Sequence, residues 1–253
     1  PAGVLVTGGS NILIQALMLA TAVGKKILTV RPGFSLYEIE GRLLGNRVVE
    51  VPLGAGDFSL PLERFLREMR RARPAAIFLA NPNAPTGNLF PQETLLEIIR
   101  EAPGLVVIDE AYHQFAGQTL RPFLKRFKNL ILLRTLSKAF SLGGVRLGYL
   151  LGDPRLVAQI RKVVLPFSVG ALSESVGEAV MEEPSYMAEQ VREIVGERDR
   201  LFTAMAQIPG LRVTPSATNF ILFQVKGAKP LFEKLLQRGL RGPRQGGRRR
   251  PLR

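Results

Sequence analysis

Residues 134–149, RTLSKAFSLGGVRLGY, form a loop of small and polar residues after an apolar run. The apolar run, residues 129–133, predicts a buried strand. Just past its end come a hydroxyl, a lysine and an arginine: Ser137, Lys138 and Arg146. A lysine amine in a cleft is a candidate nucleophile, and a hydroxyl beside a planar guanidinium can hold a phosphate. The structural alternative is a surface lysine before a turn, because short motifs often match by chance.

Two further motifs lie upstream, each at the end of a predicted strand. Residues 105–108 are apolar and lead into Asp109, with Tyr112 three positions later. Residues 75–80 lead into residues 81–87, NPNAPTG. A nucleophilic amine next to a phosphate clamp indicates a cofactor with an aldehyde and a phosphate, which is pyridoxal phosphate. A carboxylate at a neighbouring strand end can keep the ring nitrogen of that cofactor protonated, and a nearby phenol can reach its ring oxygen.

The motifs NPNAPTG, DEAY, RTLSKAF and GGVRLGY, in this order, resemble those of the fold-type I pyridoxal-phosphate enzymes, specifically the class I/II aminotransferases. The residues of these motifs are most similar to those of the histidinol-phosphate aminotransferases, and the resemblance extends over about residues 4–237. It implies three catalytic residues: Lys138 binds the cofactor and moves a proton, Asp109 pairs with the ring nitrogen, and Tyr112 donates to the ring oxygen. The other cofactor contacts that it implies are Ser10, Asn11, Phe34, Asn83, Ser137 and Arg146.

The chain start has its own anion-site pattern. Residues 4–7 predict a strand, and a Gly-Gly turn then leads through Ser10 and Asn11 into a helix. The N–H groups and dipole of a helix N-terminus attract phosphate. The alternative is that Ser10 or Asn11 simply caps the helix. Phe34, after the next strand, is expected to stack on the pyridine ring, with an ordinary core position as the alternative.

Two positions depart from the family pattern. Asn11 stands where an acidic residue is expected, and Ala84 stands where the asparagine before Pro-Thr-Gly is expected to contact the ring oxygen. Asn83 or Asn81 can replace that contact, and Asn83 is our prediction. The Ala84–Pro85 bond is expected to be cis.

Seven predicted strands alternate mostly with helices, which indicates an α/β fold: a mainly parallel seven-stranded sheet with helices on both faces. The strand at residues 129–133 and the next, at 145–151, are joined too closely for a helical crossover, so they cannot be a parallel pair. After Pro184 the pattern changes to that of a smaller α+β domain. The predicted boundaries are residues 1–183 for a cofactor-binding large domain, 184–238 for part of a small domain, and 239–253 for a disordered tail.

Composition excludes several classes of protein and site. The chain has 46% hydrophobic and 22% charged residues, as in soluble globular proteins. It has no cysteine and one histidine, which excludes disulfides, thiolate metal sites and multi-histidine metal sites. That histidine, His113, is interpreted as a partly exposed loop residue. No apolar run is long enough to span a bilayer and no signal peptide is visible, so a cytoplasmic protein without a membrane partner is expected.

The net charge of +14 is unevenly distributed. Residues 239–253 contain six arginines and no acidic residue. We expect an altered terminus here, with a genuine anion-binding arm as the alternative. A nucleic-acid partner is not expected, because the chain contains no RNA- or DNA-binding motif.

The resemblance implies transamination between histidinol phosphate and 2-oxoglutarate, in a homodimer. The alternatives are a threonine-phosphate decarboxylase, another class I/II aminotransferase, or a non-catalytic fragment that only binds cofactor or dimerises. The family's N-terminal segment and the arginine of its C-terminal domain that holds the substrate carboxylate have no counterpart in these 253 residues. The chain by itself is therefore expected to bind cofactor weakly and to transaminate poorly.

Overall fold

A computed structural model of the chain describes residues 2–240. Its strands are β1 (Val4–Thr7), β2 (Lys26–Arg31), β3 (Arg47–Pro52), β4 (Ala76–Ala80), β5 (Leu105–Asp109), β6 (Leu130–Thr135), β7 (Gly148–Gly152), β8 (Leu211–Val213) and β9 (Phe223–Val225). Its α-helices are α1 (Ser10–Thr21), α2 (Leu36–Leu43), α3 (Leu62–Ala72), α4 (Gln92–Glu101), α5 (His113–Ala116), α6 (Pro154–Arg161), α7 (Ala171–Glu182), α8 (Pro184–Ala206) and α9 (Ala228–Gln237), and a 3-10 turn covers Arg121–Phe123.

The first seven strands form one sheet in the order β1-β7-β6-β5-β4-β2-β3. The pairs β2/β3, β2/β4, β4/β5 and β5/β6 are parallel, whereas β7 is antiparallel to both β6 and β1. The connection from β6 to β7 contains no helix, and a connection of this kind returns the chain in the opposite direction. The predicted fold class and the predicted antiparallel strand are both confirmed.

The central strands are apolar because both of their faces are covered. Every residue of β4 (AIFLA) and of β5 (LVVID) is buried. Successive side chains alternate between the two faces of a strand. Ile77 and Leu79 accordingly pack with helices α3 and α4, and Phe78 packs with α1 and α6 on the opposite face.

The direction of β7 determines which loops meet. The carboxyl ends of the parallel strands lie at one edge of the sheet, where ligands of open α/β sheets bind. Because β7 runs the other way, its first residue, Gly148, lies at that same edge and pairs with Thr7 and Thr135. The loop before β7, which carries Arg146, is therefore brought to the carboxyl ends of β1 and β6.

The segment after Pro184 packs on this edge through a few contacts. Helix α8 contacts α5 and β8, and β8 pairs with β9 in a two-stranded antiparallel sheet. The Ala217 N–H donates to the Gly87 carbonyl at 2.7 Å. The domain limits at 183 and 238 stay a prediction, and of the predicted tail, residues 241–253 lie outside the described residues.

No helix among residues 2–240 combines the length and the apolar character needed to cross a membrane.

Candidate active site

A cavity opens at the carboxyl edge of the large sheet, between the ends of β1, β2, β4, β5 and β6. Eight of the nine residues predicted from the sequence line it: Ser10, Asn11, Phe34, Asp109, Tyr112, Ser137, Lys138 and Arg146. The wall is completed by Ala80, Ala84, Ala111 and Thr135. Residues that are up to 136 positions apart in sequence, such as Ser10 and Arg146, thus share one site because their strands end at the same edge.

Asp109 is the last residue of β5 and only 5% exposed. Its Oδ2 accepts a hydrogen bond from the Tyr37 hydroxyl at 3.0 Å, and its Oδ1 accepts one from the Ala111 N–H at 3.0 Å. Burial raises the pKa of Asp109 to about 6, against the lowering effect of these two hydrogen bonds. The negative charge of Glu110 adds to the increase, and the positive charge of Lys138 opposes it. A cationic partner in the cavity would favour the ionised carboxylate.

Lys138 and Tyr112 stand together on the next part of the wall. The Lys138 Nζ lies 5.4 Å from the centroid of the Tyr112 ring. Tyr112 in turn packs edge-on against Phe220, with ring centroids 5.3 Å apart. The lysine loop is closed by backbone hydrogen bonds from Leu142 to Leu136 and from Leu136 to Leu147. An amine, a phenol and the Asp109 carboxylate therefore face one small volume.

The other end of the cavity is formed by backbone N–H groups and cations. Gly9, at φ 105°, is the N-cap residue of α1, and no side chain caps the helix, so the alternative capping role of Ser10 and Asn11 is wrong. The N–H groups of a first helical turn have no partner within the helix and attract anions. The Arg146 Nη2 lies 2.7 Å from the point where a Cβ on Gly9 would be. A side chain at position 9 would displace this guanidinium.

Arg146 also has hydrogen-bonding capacity to spare. Its Nη1 donates to the Gly143 carbonyl at 3.0 Å. Within residues 2–240, no carboxylate lies within ion-pair distance of it. With Ser10 and Ser137 it forms a group of donors that suits a phosphate.

Comparison with known proteins identifies the family. The model of the family Aminotransferase class I and II matches residues 1–241. This chain belongs to that family. Histidinol-phosphate aminotransferase from Deinococcus radiodurans is 39% identical to this chain over 242 residues. The match covers 94% of this chain and 67% of that protein. The chain thus spans about two-thirds of the length of this curated relative.

Solved structures agree in fold. Histidinol-phosphate aminotransferase from Sinorhizobium meliloti in complex with pyridoxal-5'-phosphate is 27% identical, has a TM-score of 0.86, and is matched over 94% of this chain and 67% of its own. L-threonine-O-3-phosphate decarboxylase from Porphyromonas gingivalis, at 23% identity, has a TM-score of 0.80 over 93% of this chain and 71% of its own. At that identity the second likeness shows the fold alone.

Pyridoxal phosphate is the cofactor of the aminotransferase, and the cavity fits it. The donors at Ser10, Ser137 and Arg146 suit the phosphate. The buried carboxylate of Asp109 suits a protonated ring nitrogen, since a buried charge needs a partner. Lys138 supplies the amine that its aldehyde requires.

Asn83 is the predicted residue that the structure does not bring to the cavity wall. It is fully buried, and its amide Nδ2 donates to the Pro32 carbonyl at 3.1 Å and to the Thr86 hydroxyl at 2.6 Å. Ala84 lines the cavity instead. The amide nitrogen is occupied by these two hydrogen bonds, so this placement does not supply the expected contact with the ring oxygen. The Ala84–Pro85 bond is cis, as predicted.

Tyr37 is not among the residues predicted from the sequence, although a signal for it exists. Phe34 lies two residues before α2 and Tyr37 is the second residue of that helix; the Tyr37 N–H donates to the Phe34 carbonyl at 3.2 Å, a turn that brings residues three apart together. Their rings pack edge-on at 5.5 Å. The predicted stacking residue and the hydrogen-bond partner of Asp109 are thus neighbours.

The partners of Glu110 are also not predicted from the sequence. This carboxylate is 2% exposed and forms an ion pair with Arg134 at 2.8 Å. His113, interpreted from sequence as a loop residue, begins α5, and its Nδ1 lies 2.8 Å from the Glu110 carbonyl. Burial, and then the charge of Arg134, lower the pKa of His113. A pattern of single residues contains no signal for an ion pair between positions 24 residues apart.

Proposed function

We propose that this aminotransferase transfers the amino group of histidinol phosphate to 2-oxoglutarate. The observation that carries the proposal is the convergence of the Lys138 amine, the buried Asp109 carboxylate and the Arg146 guanidinium on one cavity. The relative from Deinococcus radiodurans supports the choice of substrate.

Each residue of the cavity has a role in this proposal. Pyridoxal phosphate, when bound, supplies an electrophilic carbon and an electron-accepting ring. Lys138 would hold the cofactor through its amine and, when free, would carry a proton to and from the substrate α-carbon. Asp109 would pair with the ring nitrogen, and Tyr112 would donate a hydrogen bond to the ring oxygen. Phe34 would stack on the ring, while Ser10, Asn11, Ser137 and Arg146 would hold the phosphate.

Trapping the cofactor on the protein tests the assignment of Lys138. Pyridoxal phosphate added to the chain is expected to give a visible absorbance band, and borohydride is expected to fix the label on the peptide that contains Lys138. Lys138→Ala should remove both signals. Lys125→Ala, at an exposed lysine, is the matched control and should keep them. A label on another lysine would overturn the assignment.

Turnover distinguishes this reaction from that of the threonine-phosphate decarboxylase and from a non-catalytic fragment, and replacing histidinol phosphate by other amino donors tests for another class I/II aminotransferase. Formation of glutamate from histidinol phosphate and 2-oxoglutarate supports the proposal. Release of carbon dioxide from threonine phosphate would instead indicate the decarboxylase. A trapped label without either reaction would identify a chain that binds cofactor without completing catalysis, as the non-catalytic alternative requires.

We also propose that the active form is a cytoplasmic homodimer. Three large apolar side chains in the loop before α7 and in its first turn are exposed: Leu165 at 80%, Phe167 at 98% and Leu172 at 85%. Apolar surface of this kind marks a site of association. Light scattering on the purified chain should give twice the monomer mass, and Phe167→Asp should reduce it to the monomer mass. A wild-type chain that is monomeric at all concentrations would contradict the proposal.

A further inference from the structure

Tyr37 is a buried polar side chain to which the proposed reaction assigns no role. It is 1% exposed, and its hydroxyl lies 3.0 Å from the Asp109 Oδ2, although the two residues are 72 positions apart in sequence. Burial, followed by the negative charge of Asp109, raises the pKa of Tyr37 well above its ordinary value. The phenol therefore stays protonated and donates this hydrogen bond at any physiological pH.

The ring of Tyr37 is held on two sides. It packs edge-on against Phe34 at 5.5 Å and tilted against Phe78 at 5.4 Å. The hydroxyl consequently points at Asp109 without freedom to move, since side chains in a packed core stay in one rotamer. Phe34 is the cavity residue that would stack on the cofactor ring, so Tyr37 links it to the carboxylate.

The carboxylate of Asp109 is held by one donor on each oxygen. Tyr37 O–H occupies Oδ2, and Ala111 N–H occupies Oδ1 at 3.0 Å. Each carboxylate oxygen can accept more than one hydrogen bond, so the pair fixes the orientation and leaves acceptor capacity toward the cavity. The other charged groups that act on Asp109 are Glu110 and Lys138.

We propose that Tyr37 is a positioning residue for the cofactor: its hydroxyl fixes the Asp109 carboxylate and keeps it ionised for pairing with the protonated ring nitrogen. This inference rests on the cofactor site of the proposed function and adds a residue to it. Asp109 alone, in a buried position, would favour its neutral form, which cannot neutralise a pyridinium. The phenol offsets part of that cost because a hydrogen bond to an ionised acceptor is stronger than one to a neutral acceptor.

Tyr37→Phe is the variant that isolates the hydroxyl. It keeps the ring that packs between Phe34 and Phe78, and swaps that conserve volume are well tolerated in cores. The carboxyl 13C resonance of Asp109 in the cofactor-free chain, assigned by its loss in Asp109→Asn, is expected to titrate about one pH unit higher in the variant. This measurement needs neither cofactor nor turnover. An unchanged titration would overturn the proposal.

Cofactor affinity as a function of pH supplies the second readout. The dissociation constant of pyridoxal phosphate is measured by absorbance from about pH 5 to about pH 9, the range in which Asp109 and its variants titrate. In Tyr37→Phe the affinity is expected to be about tenfold lower near pH 5, where the carboxyl is mostly protonated in both proteins, and to approach that of the wild type above about pH 8. Tyr186→Phe, at an exposed tyrosine of α8, is the matched control and should follow the wild type.

A purely structural role for Tyr37 would give a different pattern. It would lower the affinity by the same factor at every pH, and it would do so in Asp109→Asn as well. The proposal instead requires that the pH-dependent effect of Tyr37→Phe vanish in the Asp109→Asn background, where nothing titrates at that position. If the wild type does not transaminate histidinol phosphate but Tyr37→Phe still shows the shifted pH profile of cofactor affinity, the proposed substrate is contradicted and the role of Tyr37 stands.

Discussion

Asp109 and Glu110 are adjacent in sequence and both buried, yet they have opposite surroundings. Asp109 faces the cavity, and its oxygens accept from the neutral donors Tyr37 and Ala111. Glu110 contacts Arg134 through Nε at 3.0 Å and Nη2 at 2.8 Å. It also accepts from the Thr119 hydroxyl at 2.9 Å and the Leu120 N–H at 2.6 Å.

The difference follows from the geometry of an extended chain. Successive side chains point to opposite sides, so two neighbouring carboxylates at the end of β5 face different partners. Glu110 finds a protein cation and becomes part of the scaffold that ties the loop at Thr119 to β6. Asp109 has a protein cation, Lys138, only at a distance, and its charge remains available to a ligand. One carboxylate is therefore structural and the other is suited to function.

The largest effect is expected from removing the charge of Asp109. Asp109→Asn keeps the shape but cannot hold the ring nitrogen protonated, and turnover is expected to fall by about 10³-fold, within the range that positioned proton-transfer groups contribute. The affinity for pyridoxal phosphate should fall only about tenfold, the value of one charge-assisted hydrogen bond. Asp199→Asn, in an exposed position, is the control in steady-state and binding assays. Near-normal turnover of Asp109→Asn would contradict the functional role that we assign to Asp109.

Glu110 is expected to show the reverse pattern, with a large change in stability. Glu110→Gln leaves the Arg134 guanidinium buried without its anion, which costs about 3–5 kcal/mol in the free energy of unfolding. Urea denaturation measures this cost. Glu197→Gln removes half of an exposed ion pair with Arg200 and should leave the urea midpoint almost unchanged.

The double variant Glu110→Leu/Arg134→Met tests whether the loss of stability comes from the unpaired buried charge of Arg134. Replacing both members of a buried pair by apolar residues is often close to neutral, so much of the lost stability should return. A loss in Glu110→Gln as small as that in Glu197→Gln would mean that the ion pair is not the scaffold we infer.

The smallest expected effect is a pH dependence of stability in the cofactor-free chain. Because the pKa of Asp109 is about 6 in the folded state and 3.8 in its ordinary state, the folded protein binds more protons between these values. The free energy of unfolding therefore decreases by up to about 3 kcal/mol as pH rises through this window. Above the window Asp109 contributes no further pH dependence.

Comparing the wild type with Asp109→Asn isolates this contribution. The asparagine variant lacks the titrating group, so the difference in urea midpoint between the two proteins should grow from about pH 4 to about pH 6 and then stay constant. Parallel curves for the two proteins would show that Asp109 is not held in the environment that the structure gives it.

Much of the fold and of the site could be predicted because their signals are local. Apolar runs at residues 75–80 and 105–108 specify strands that must be buried on both faces. The lack of a helix between β6 and β7 excludes a parallel pair, and β7 is indeed antiparallel. Side chains that follow strand ends meet because parallel strands share a carboxyl edge, and the antiparallel β7 brings Arg146 to the same edge, so eight of the nine predicted residues line one cavity.

The remaining features depend on contacts between distant positions, which only the tertiary structure decided. Asn83 looked like a cofactor ligand, but its amide bonds to Pro32, 51 residues away, and Ala84 faces the cavity. The DEAY motif contains two carboxylates with nothing local to distinguish them. Their surroundings are set by Tyr37, 72 residues before Asp109, and by Arg134, 24 residues after Glu110. Burial makes the energy of a carboxylate depend on its immediate neighbours, and those neighbours are known only once the chain has folded.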